Sequence, residues 1–227
     1  MKSETYRRNP ARMPEAPITK VEYAHDGSSA SCAHAYLLAP VKKLVQSLGK
    51  NGTALDLGCG NGSLSHELSR LGFEVYGVDR SDSGIQIARE AFPQVQFSLG
   101  DVEEDLSPDP FKAESFDVVV STEVVEHLYR PRRLVQNAFR LLKPAGHFIV
   151  STPYHGWLKN VVLALSGKMD NHFTALWDGG HIKFLSRETL SGLLTEQGFT
   201  DVRFVGAGRV PYIWKSMILI ARKSAGE

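Results

Sequence analysis

A glycine-rich turn directly after a short apolar segment is the feature that most constrains the fold of this chain. The segment Thr53–Leu57 predicts a buried strand, Gly58, Gly60 and Gly62 follow at alternate positions, and a helical pattern begins at Ser63. Because glycine lacks a Cβ, such a turn can take positive φ and let a ligand lie against the backbone. The order strand, turn, helix is typical of nucleotide-binding folds, and by itself it does not separate them.

Acidic residues mark the next two strands. Asp79 ends the apolar segment after the first helix, and Asp101 follows the third predicted strand. A carboxylate at the second position can accept both ribose hydroxyls of an adenosine ligand. With Asp56 near the end of the first strand, three successive strands each carry an acid at or next to the strand end. A dinucleotide-binding fingerprint does not require this pattern and requires a glycine where Ser63 stands, so the sequence disfavours an oxidoreductase.

Alternating strand and helix patterns continue to the end of the chain. Strands are predicted at 53–57, 73–78, 95–99, 116–121, 147–151, 202–205 and 215–221. Helices are predicted at 63–71, 83–92, 132–142 and, with Ser186 as N-cap, up to Gln197, and two short helices are predicted between 29 and 46 with a break at Pro40. This alternation predicts an α/β fold with a doubly wound sheet and ligands at the carboxyl ends of its strands.

The 227 residues suffice for one domain, which we predict at 29–227 after a flexible tail at 1–28. Within that domain, 29–50 is predicted to form a helical lid and 152–181 a substrate-lid insertion, since connections in such folds are usually much shorter. In the insertion, apolar residues recur at helical spacing from Trp157 to Leu165 beside Lys159. That 157–165 helix could pack on the core, cover an apolar substrate or lie on a membrane surface.

Composition excludes several classes of protein. A formal net charge of +1 gives no general field for nucleic acid, so a nucleic-acid partner is not expected. Cys32 and Cys59 are too few for a disulfide framework or a zinc cluster, and a reducing, cytoplasmic location is predicted. No apolar run is long enough for a membrane span. The arginines at 130, 132 and 133 fit a solvated helix start better than a phosphate site.

The motif that could carry chemistry follows the fourth strand. In a regular helical turn Glu123, Glu126 and His127 would share one face, at the carboxyl end of a strand, where ligands bind in such sheets. His181 precedes the last helix, and His155 after the fifth strand is a further candidate base. Structural roles are equally open: Glu123 could cap backbone amides, Glu126 could pair with Arg130, and His127 could fill a notch.

With LDLGCGNG, GVDRS and LGD, the chain closely resembles the class I S-adenosylmethionine-dependent methyltransferases. The resemblance implies a Rossmann-like, doubly wound seven-stranded sheet, mostly parallel with an antiparallel last strand. It also implies S-adenosylmethionine as cofactor, with S-adenosylhomocysteine as product. Ten residues would bind this cofactor: Asp56, Gly58, Cys59, Gly60, Gly62, Asp79, Arg80, Asp101, Val102 and Thr122.

A narrower resemblance rests on E-x-x-E-H after the fourth strand and G-H-x-K-F before the last helix. Both look like the ubiquinone-biosynthesis O-methyltransferases, and E-x-x-E-H also resembles the small-RNA 2′-O-methyltransferases, in which it binds a divalent metal. Carried over, Glu123, Glu126, His127 and His181 would hold Mg²⁺, Mn²⁺ or Zn²⁺. Without metal, His127 or His181 would be the catalytic base, with Glu126 beside it.

These resemblances predict O-methylation of a small catechol- or quinol-like acceptor by a monomer or homodimer. Three alternatives stay open: methylation of a sugar or an amine, methylation of an RNA 2′-hydroxyl, and a module that binds S-adenosylmethionine without catalysis. Membrane contact through the 157–165 helix would suit a lipid substrate.

Overall fold

The computed structural model describes residues 34–49, 51–106, 110–173 and 175–225. The predicted tail at 1–28 and the start of the predicted helical lid lie outside the described residues. The strands are β1 (Gly52–Leu57), β2 (Phe73–Asp79), β3 (Gln96–Leu99), β4 (Phe116–Thr122), β5 (Leu142–Pro153), β6 (Phe199–Ala207) and β7 (Ser216–Lys223). The helices are α1 (His34–Ser47), α2 (Ser63–Ser69), α3 (Asp82–Ala91), α4 (Pro131–Leu141), α5 (Trp157–Leu165), α6 (Met169–Phe173) and α7 (Arg187–Glu196), with a 3₁₀ turn at Val125–His127.

The strands form one sheet in the order β3-β2-β1-β4-β5-β7-β6. Neighbouring strands from β3 to β5 are parallel, and β7 runs antiparallel to both β5 and β6. The predicted seven-stranded, mostly parallel sheet with an antiparallel last strand is therefore confirmed. The chain order reverses between β1 and β4, which is where ligands bind in open α/β sheets.

Side chains of the central strands alternate between two apolar cores. On β4, Val118 and Val120 pack with α1, α2 and α3, whereas Val119 packs on the other side with α4 and α7. Both sets are almost completely buried. A strand covered on both faces reads as a continuous apolar run, as predicted for 116–121.

Helix α1 corrects one prediction, because it is continuous through Pro40 where a break was expected. Proline inside a helix costs about 3 kcal/mol through a lost hydrogen bond and a steric clash. Leu37, Val41 and Val45 are fully buried against the sheet, and each such side chain contributes about 1.5–3 kcal/mol. Packing therefore outweighs the local preference.

Two further differences concern element boundaries. Helix α4 ends at Leu141 and β5 begins at Leu142, so Pro144 and Gly146 lie inside the strand instead of preceding it. Leu142 pairs with Phe116 before a register shift, which extends the strand beyond the predicted 147–151.

The predicted N-cap of α7 is confirmed. The Ser186 hydroxyl accepts a hydrogen bond from the Thr189 amide in a capping box.

Helix α5 does not pack its apolar residues on the core. Trp157 is 77% exposed and Leu165 is 85% exposed, and Leu158, Val161 and Val162 are exposed as well. The buried side chain of this helix is instead Lys159. Within the described ranges, no helix combines the length and apolar content that a bilayer crossing requires.

Candidate active site

A cleft of about 660 Å³ opens at the carboxyl ends of the central strands. One half is bordered by the turn after β1 and the ends of β2 and β3. The other half is bordered by the segment after β4, the insertion after β5 and the start of β7. Eight of the ten predicted cofactor-binding residues line the cleft: Gly58, Cys59, Gly60, Asp79, Arg80, Asp101, Val102 and Thr122.

The glycine turn is held against β2 by its backbone. The amides of Gly58 and Cys59 both donate to the carbonyl of Val78, at 2.8 and 3.1 Å. Gly58 has a φ of 82°, and a Cβ at this position would lie 2.4 Å from Cγ2 of Val124. Both the backbone conformation and the available space therefore require glycine at position 58.

Asp79 ties the turn to the end of β2. Its Oδ2 accepts a hydrogen bond from the Gly60 amide and its Oδ1 from the Ser81 amide, both at 2.8 Å. A carboxylate has about four acceptor sites, so lone pairs remain for ribose hydroxyls. On the next strand end, Oδ1 of Asp101 accepts from the Glu103 amide at 2.8 Å. These bonds fix both carboxylates at the rim of the cleft.

Asp56 and Gly62, the other two predicted cofactor residues, do not line the cleft. Asp56 is buried below the turn, where its Oδ2 accepts from the Ser65 hydroxyl at 2.7 Å. Burial raises the pKa of Asp56 to about 7. Gly62 precedes α2, and a Cβ there would lie 2.6 Å from the Phe97 ring. Both residues therefore support the turn from below.

The segment after β4 is clasped to residues 179–183. Nδ1 of His127 lies 3.0 Å from the carbonyl oxygen of Gly179, and the carbonyl of Glu126 accepts from the amides of Ile182 and Lys183, both at 2.9 Å. Because a carbonyl only accepts, Nδ1 of His127 carries the proton, and Nε2 of the neutral ring carries the lone pair. Burial lowers the pKa of His127, which favours this neutral form.

This clasp brings three predicted residues together. Glu126, His127 and His181 each offer one ligating atom, and these atoms lie within 4.8 Å of one another. Nε2 of His181 is 4.0 Å from Oε1 of Glu126. The carboxyl of Glu126 is fully buried and reaches no hydrogen-bond partner among the described residues. Burial raises its pKa well above the ordinary value, and the charge of Glu123 adds to this.

Glu123, the fourth residue of the predicted metal set, is not part of this group. The segment forms a 3₁₀ turn instead of a regular helical turn, and Glu123 precedes it with a φ of 54°. Its carboxylate accepts from the hydroxyls of Ser151 and Ser216, at 2.8 and 3.0 Å. Since the one proton of Ser216 points to Glu123, the Tyr36 hydroxyl at 3.0 Å donates to Ser216. Burial raises the pKa of Glu123 to about 7.

Other structural alternatives are also decided. Arg130 pairs with Glu104 at 2.8 Å and not with Glu126. The neighbouring arginines are paired as well, Arg132 with Glu196 and Arg133 with Asp105. The three arginines therefore form separate ion pairs, each with a different acidic residue. His155, the further candidate base, packs against Phe173 and Phe184 and does not line the cleft.

Several residues that line the cleft were missed by sequence reasoning. They are Asn61, Val124, Leu128, Pro153, Lys159, His172, Trp177, Arg209, Lys215 and Ser216. For Lys159 a signal existed, because it is the one charged residue within the apolar run Trp157–Leu165. Arg209 and Lys215 carry no local pattern, since only the antiparallel pairing of β7 brings them to this end of the sheet.

Comparison with known proteins supports the same family. A ubiquinone biosynthesis O-methyltransferase of Coxiella burnetii is 35% identical over 120 residues, which cover 52% of this chain and 51% of that protein. The mitochondrial enzyme of that name from Rattus norvegicus is 32% identical over 169 residues, covering 70% of this chain and 47% of that one. The chain thus spans about half the length of these curated relatives.

Among solved structures, a SAM-dependent methyltransferase of Thermotoga maritima has a TM-score of 0.64 and 21% identity. The similarity covers 85% of this chain and 92% of that one, and at this identity it supports the fold alone. The methyltransferase-domain family matches residues 29–203, three quarters of the chain. Together with the sheet order and the glycine turn, this match shows that the chain belongs to the methyltransferase-domain family, with the class I fold of the S-adenosylmethionine-dependent enzymes.

Proposed function

We propose that this chain transfers the methyl group of S-adenosylmethionine to a hydroxyl of a small catechol- or quinol-like acceptor. The observation that carries the proposal is the cluster of Glu126, His127 and His181, whose two histidines line the same cleft as the glycine turn. A module that only bound the cofactor would have no need for such a cluster. The names of the curated relatives support the same type of reaction.

The chemistry explains why such a cluster would help. A phenolic hydroxyl with a pKa near 10 is only ~0.1% ionised at pH 7, a deficit of about 4 kcal/mol for forming the oxyanion. The sulfonium of the cofactor is already a good leaving group. The protein must therefore align the oxygen with the methyl group and assist removal of the proton.

His127 is suited to accept that proton. Its Nδ1 is held by the carbonyl of Gly179, which leaves Nε2 as the basic atom of the neutral ring. The clasp to residues 179–183 fixes the ring orientation and keeps His181 beside it, with the two ring centroids 4.9 Å apart. One positioned base contributes about 10²- to 10⁴-fold to the rate.

The same three residues fit a divalent metal. A buried carboxyl without a hydrogen-bond partner and two neutral imidazoles are ligands suited to Mg²⁺, Mn²⁺ or Zn²⁺. We propose Glu126, His127 and His181 as the ligands, without Glu123. A bound metal would act as a Lewis acid toward the acceptor oxygen.

Transfer of a labelled methyl group to a panel of catechols and quinols, each with added Mg²⁺ and with chelator, tests the proposal. His127→Ala should lower turnover by about 10²-fold or more while affinity for S-adenosylhomocysteine is kept. His66→Ala is the matched control, because His66 stacks on Phe92 away from the cleft. Unchanged turnover in His127→Ala would remove this residue from the chemistry.

The chelator arm decides between the two roles of the cluster. Loss of transfer in chelator, with recovery on adding metal, supports the three-ligand site. If chelator does not change the rate of transfer, His127 acts as the base without a metal. Transfer to a short RNA, a sugar or an amine, and to no aromatic hydroxyl, would overturn the acceptor class. The paired state of the arginines at 130, 132 and 133 speaks against RNA.

Partners and location are also proposals. The exposed apolar residues of α5 favour peripheral contact with a membrane surface over packing within the fold. A cytoplasmic monomer or homodimer remains our expectation.

A further inference from the structure

Helix α5 buries a lysine while it exposes its apolar side chains. Lys159 is only 3% exposed and lines the cleft, whereas Trp157 and Leu165 face solvent. Burying an ammonium group costs several kcal/mol unless it is paired. The ammonium of Lys159 donates to one acceptor in the described part of the chain, the carbonyl of Lys215 at 3.3 Å. Two of its three donors are therefore left for a ligand in the cleft.

Two further cations line the same part of the cleft. Arg209 lies in the connection between β6 and β7, and it forms no ion pair or hydrogen bond with the described residues. Lys215 precedes β7, with its ammonium 4.9 Å from the centroid of the Tyr36 ring. Burial lowers the pKa of Lys159 to about 8, and the positive charge of Arg209 adds to this. The charges of Lys159 and Arg209 are thus close enough to repel each other when no anion is bound.

The sheet order separates these cations from the predicted cofactor residues. Asp79, Asp101 and the glycine turn follow β2, β3 and β1, on one side of β4. Lys159, Arg209 and Lys215 come from elements beyond β5, on the other side of β4. If the cofactor lies over the first side, the cations border the half of the cleft that receives the acceptor.

We propose that Lys159 and Arg209, flanked by Lys215, form a subsite for a carboxylate group of the methyl acceptor. The acceptor class is then a hydroxy-substituted aromatic acid, and this statement rests on the proposed function above. A guanidinium and an ammonium can bind the two oxygens of one carboxylate through charge-assisted hydrogen bonds. Glu123 lies close enough to influence Lys159, and its negative charge favours a monoanion over a dianionic phosphate.

The test compares 3,4-dihydroxybenzoate with 3,4-dihydroxybenzamide, which has nearly the same shape and no charge. Calorimetry on the full chain saturated with S-adenosylhomocysteine gives the two affinities, and labelled methyl transfer gives kcat/KM. We expect the acid to bind at least about tenfold more tightly, since its carboxylate would form charge-assisted hydrogen bonds between oppositely charged groups, which the amide cannot form. In Lys159→Met, and separately in Arg209→Gln, the preference should fall to about threefold or less.

The matched control is Lys168→Met, which removes an exposed lysine of the same insertion and should keep the full preference. The carboxylate could instead come from the methionine part of the cofactor. In that case Lys159→Met would weaken S-adenosylhomocysteine binding and leave the preference for the acid unchanged, which would overturn the subsite. Equal binding of acid and amide to the unaltered protein would overturn it as well.

Binding and turnover separate this inference from the proposed function. A clear preference for the acid in binding, with no methylation of any ring hydroxyl, would contradict the proposed reaction and support the carboxylate subsite. Methylation of both compounds, with equal affinity for the acid and the amide, would support the proposed reaction and contradict the carboxylate subsite. Arg209→Gln gives the same readouts should Lys159→Met unfold.

Discussion

At the scale of single residues, Gly58 is subject to two constraints at once. Its φ is 82°, and a Cβ would lie 2.4 Å from Val124. We expect Gly58→Ala to lower the free energy of unfolding by about 2 kcal/mol or more, from backbone strain plus displacement of Val124. Calorimetry should also show at least about tenfold weaker binding of S-adenosylhomocysteine, equivalent to 1.4 kcal/mol.

Gly167→Ala is the control for this prediction. Gly167 also has a positive φ, 65°, but nothing lies within 4 Å of its Cβ position. Its alanine variant should therefore lose only about 1 kcal/mol of stability and bind the cofactor product normally. Equal losses in the two variants would show that crowding at Gly58 is unimportant.

Asp56 predicts a pH dependence of stability. Burial raises its pKa to about 7 in the folded chain from an ordinary value of 3.8. The folded state thus binds this proton more tightly than the unfolded state, so the contribution of Asp56 to stability is greatest below about pH 4 and decreases as the pH rises to about 7. The decrease is at most about 4 kcal/mol.

Asp56→Asn removes that titration and nearly keeps the shape. Chemical unfolding between pH 5 and 8 should show that the variant becomes more stable relative to the unaltered protein as the pH rises. Ser69→Ala, which removes a half-buried hydroxyl that donates to the His66 carbonyl, should show no such trend. A constant difference across this range would mean that Asp56 titrates normally.

At the scale of elements, α5 presents an apolar face that no described residue covers. If this face contacts membranes, the unaltered chain should float with anionic liposomes and Trp157→Glu should reduce the floating fraction several-fold. The substitution removes the apolar indole ring and introduces a negative charge that anionic headgroups repel. Tyr129→Glu is the control, since Tyr129 is also an exposed aromatic residue but lies outside the insertion. Absence of the unaltered protein from the floating fraction would exclude membrane contact.

Elements with strong local signals were predictable, and those decided by packing were not. The glycine turn, β4 and the Ser186 cap carry their own sequence patterns, and the structure has them where expected. Continuous α1 depends on burial of Leu37, Val41 and Val45, which no local rule about Pro40 can include. The 3₁₀ turn depends on contacts with residues 179–183, more than 50 positions away in sequence.

The same distinction between local sequence signals and packing applies to the two halves of the candidate cleft. The half of the cleft predicted to hold the cofactor follows from residues next to strand ends, where sequence neighbours are also neighbours in space. The other half, which we propose for the acceptor, is assembled from α1, α5 and the β6–β7 connection, and periodicity cannot show that Tyr36 and Ser216 meet. The sequence predicts a helix around Lys159, but the inward direction of its side chain depends on how that helix packs on the sheet.

At the scale of the whole molecule, ligand binding should stabilise the fold. S-adenosylhomocysteine at 100 times its Kd adds about 2.7 kcal/mol, which raises the Tm by about 5–10 °C for a chain of this size. Differential scanning fluorimetry measures this shift. Asp79→Ala should abolish most of it, since Asp79 lines the cleft and holds the Gly60 amide.

Asp82→Ala provides the comparison, because Asp82 begins α3 and does not line the cleft. Its shift relative to its own unliganded Tm should be normal. A full shift in Asp79→Ala would mean that the ligand does not use this carboxylate.

The reversed direction of β7 has a consequence for how such a chain can diversify. A strand that runs against its neighbours begins where they end, so the hairpin between β6 and β7 reaches the cleft with Arg209 and Lys215. That hairpin contributes none of the residues predicted to hold the cofactor. We therefore expect that exchange of residues 208–215 between relatives changes which acceptor is bound and leaves the predicted cofactor residues unchanged. This hairpin is thus a suitable segment to exchange when new acceptor specificity is engineered.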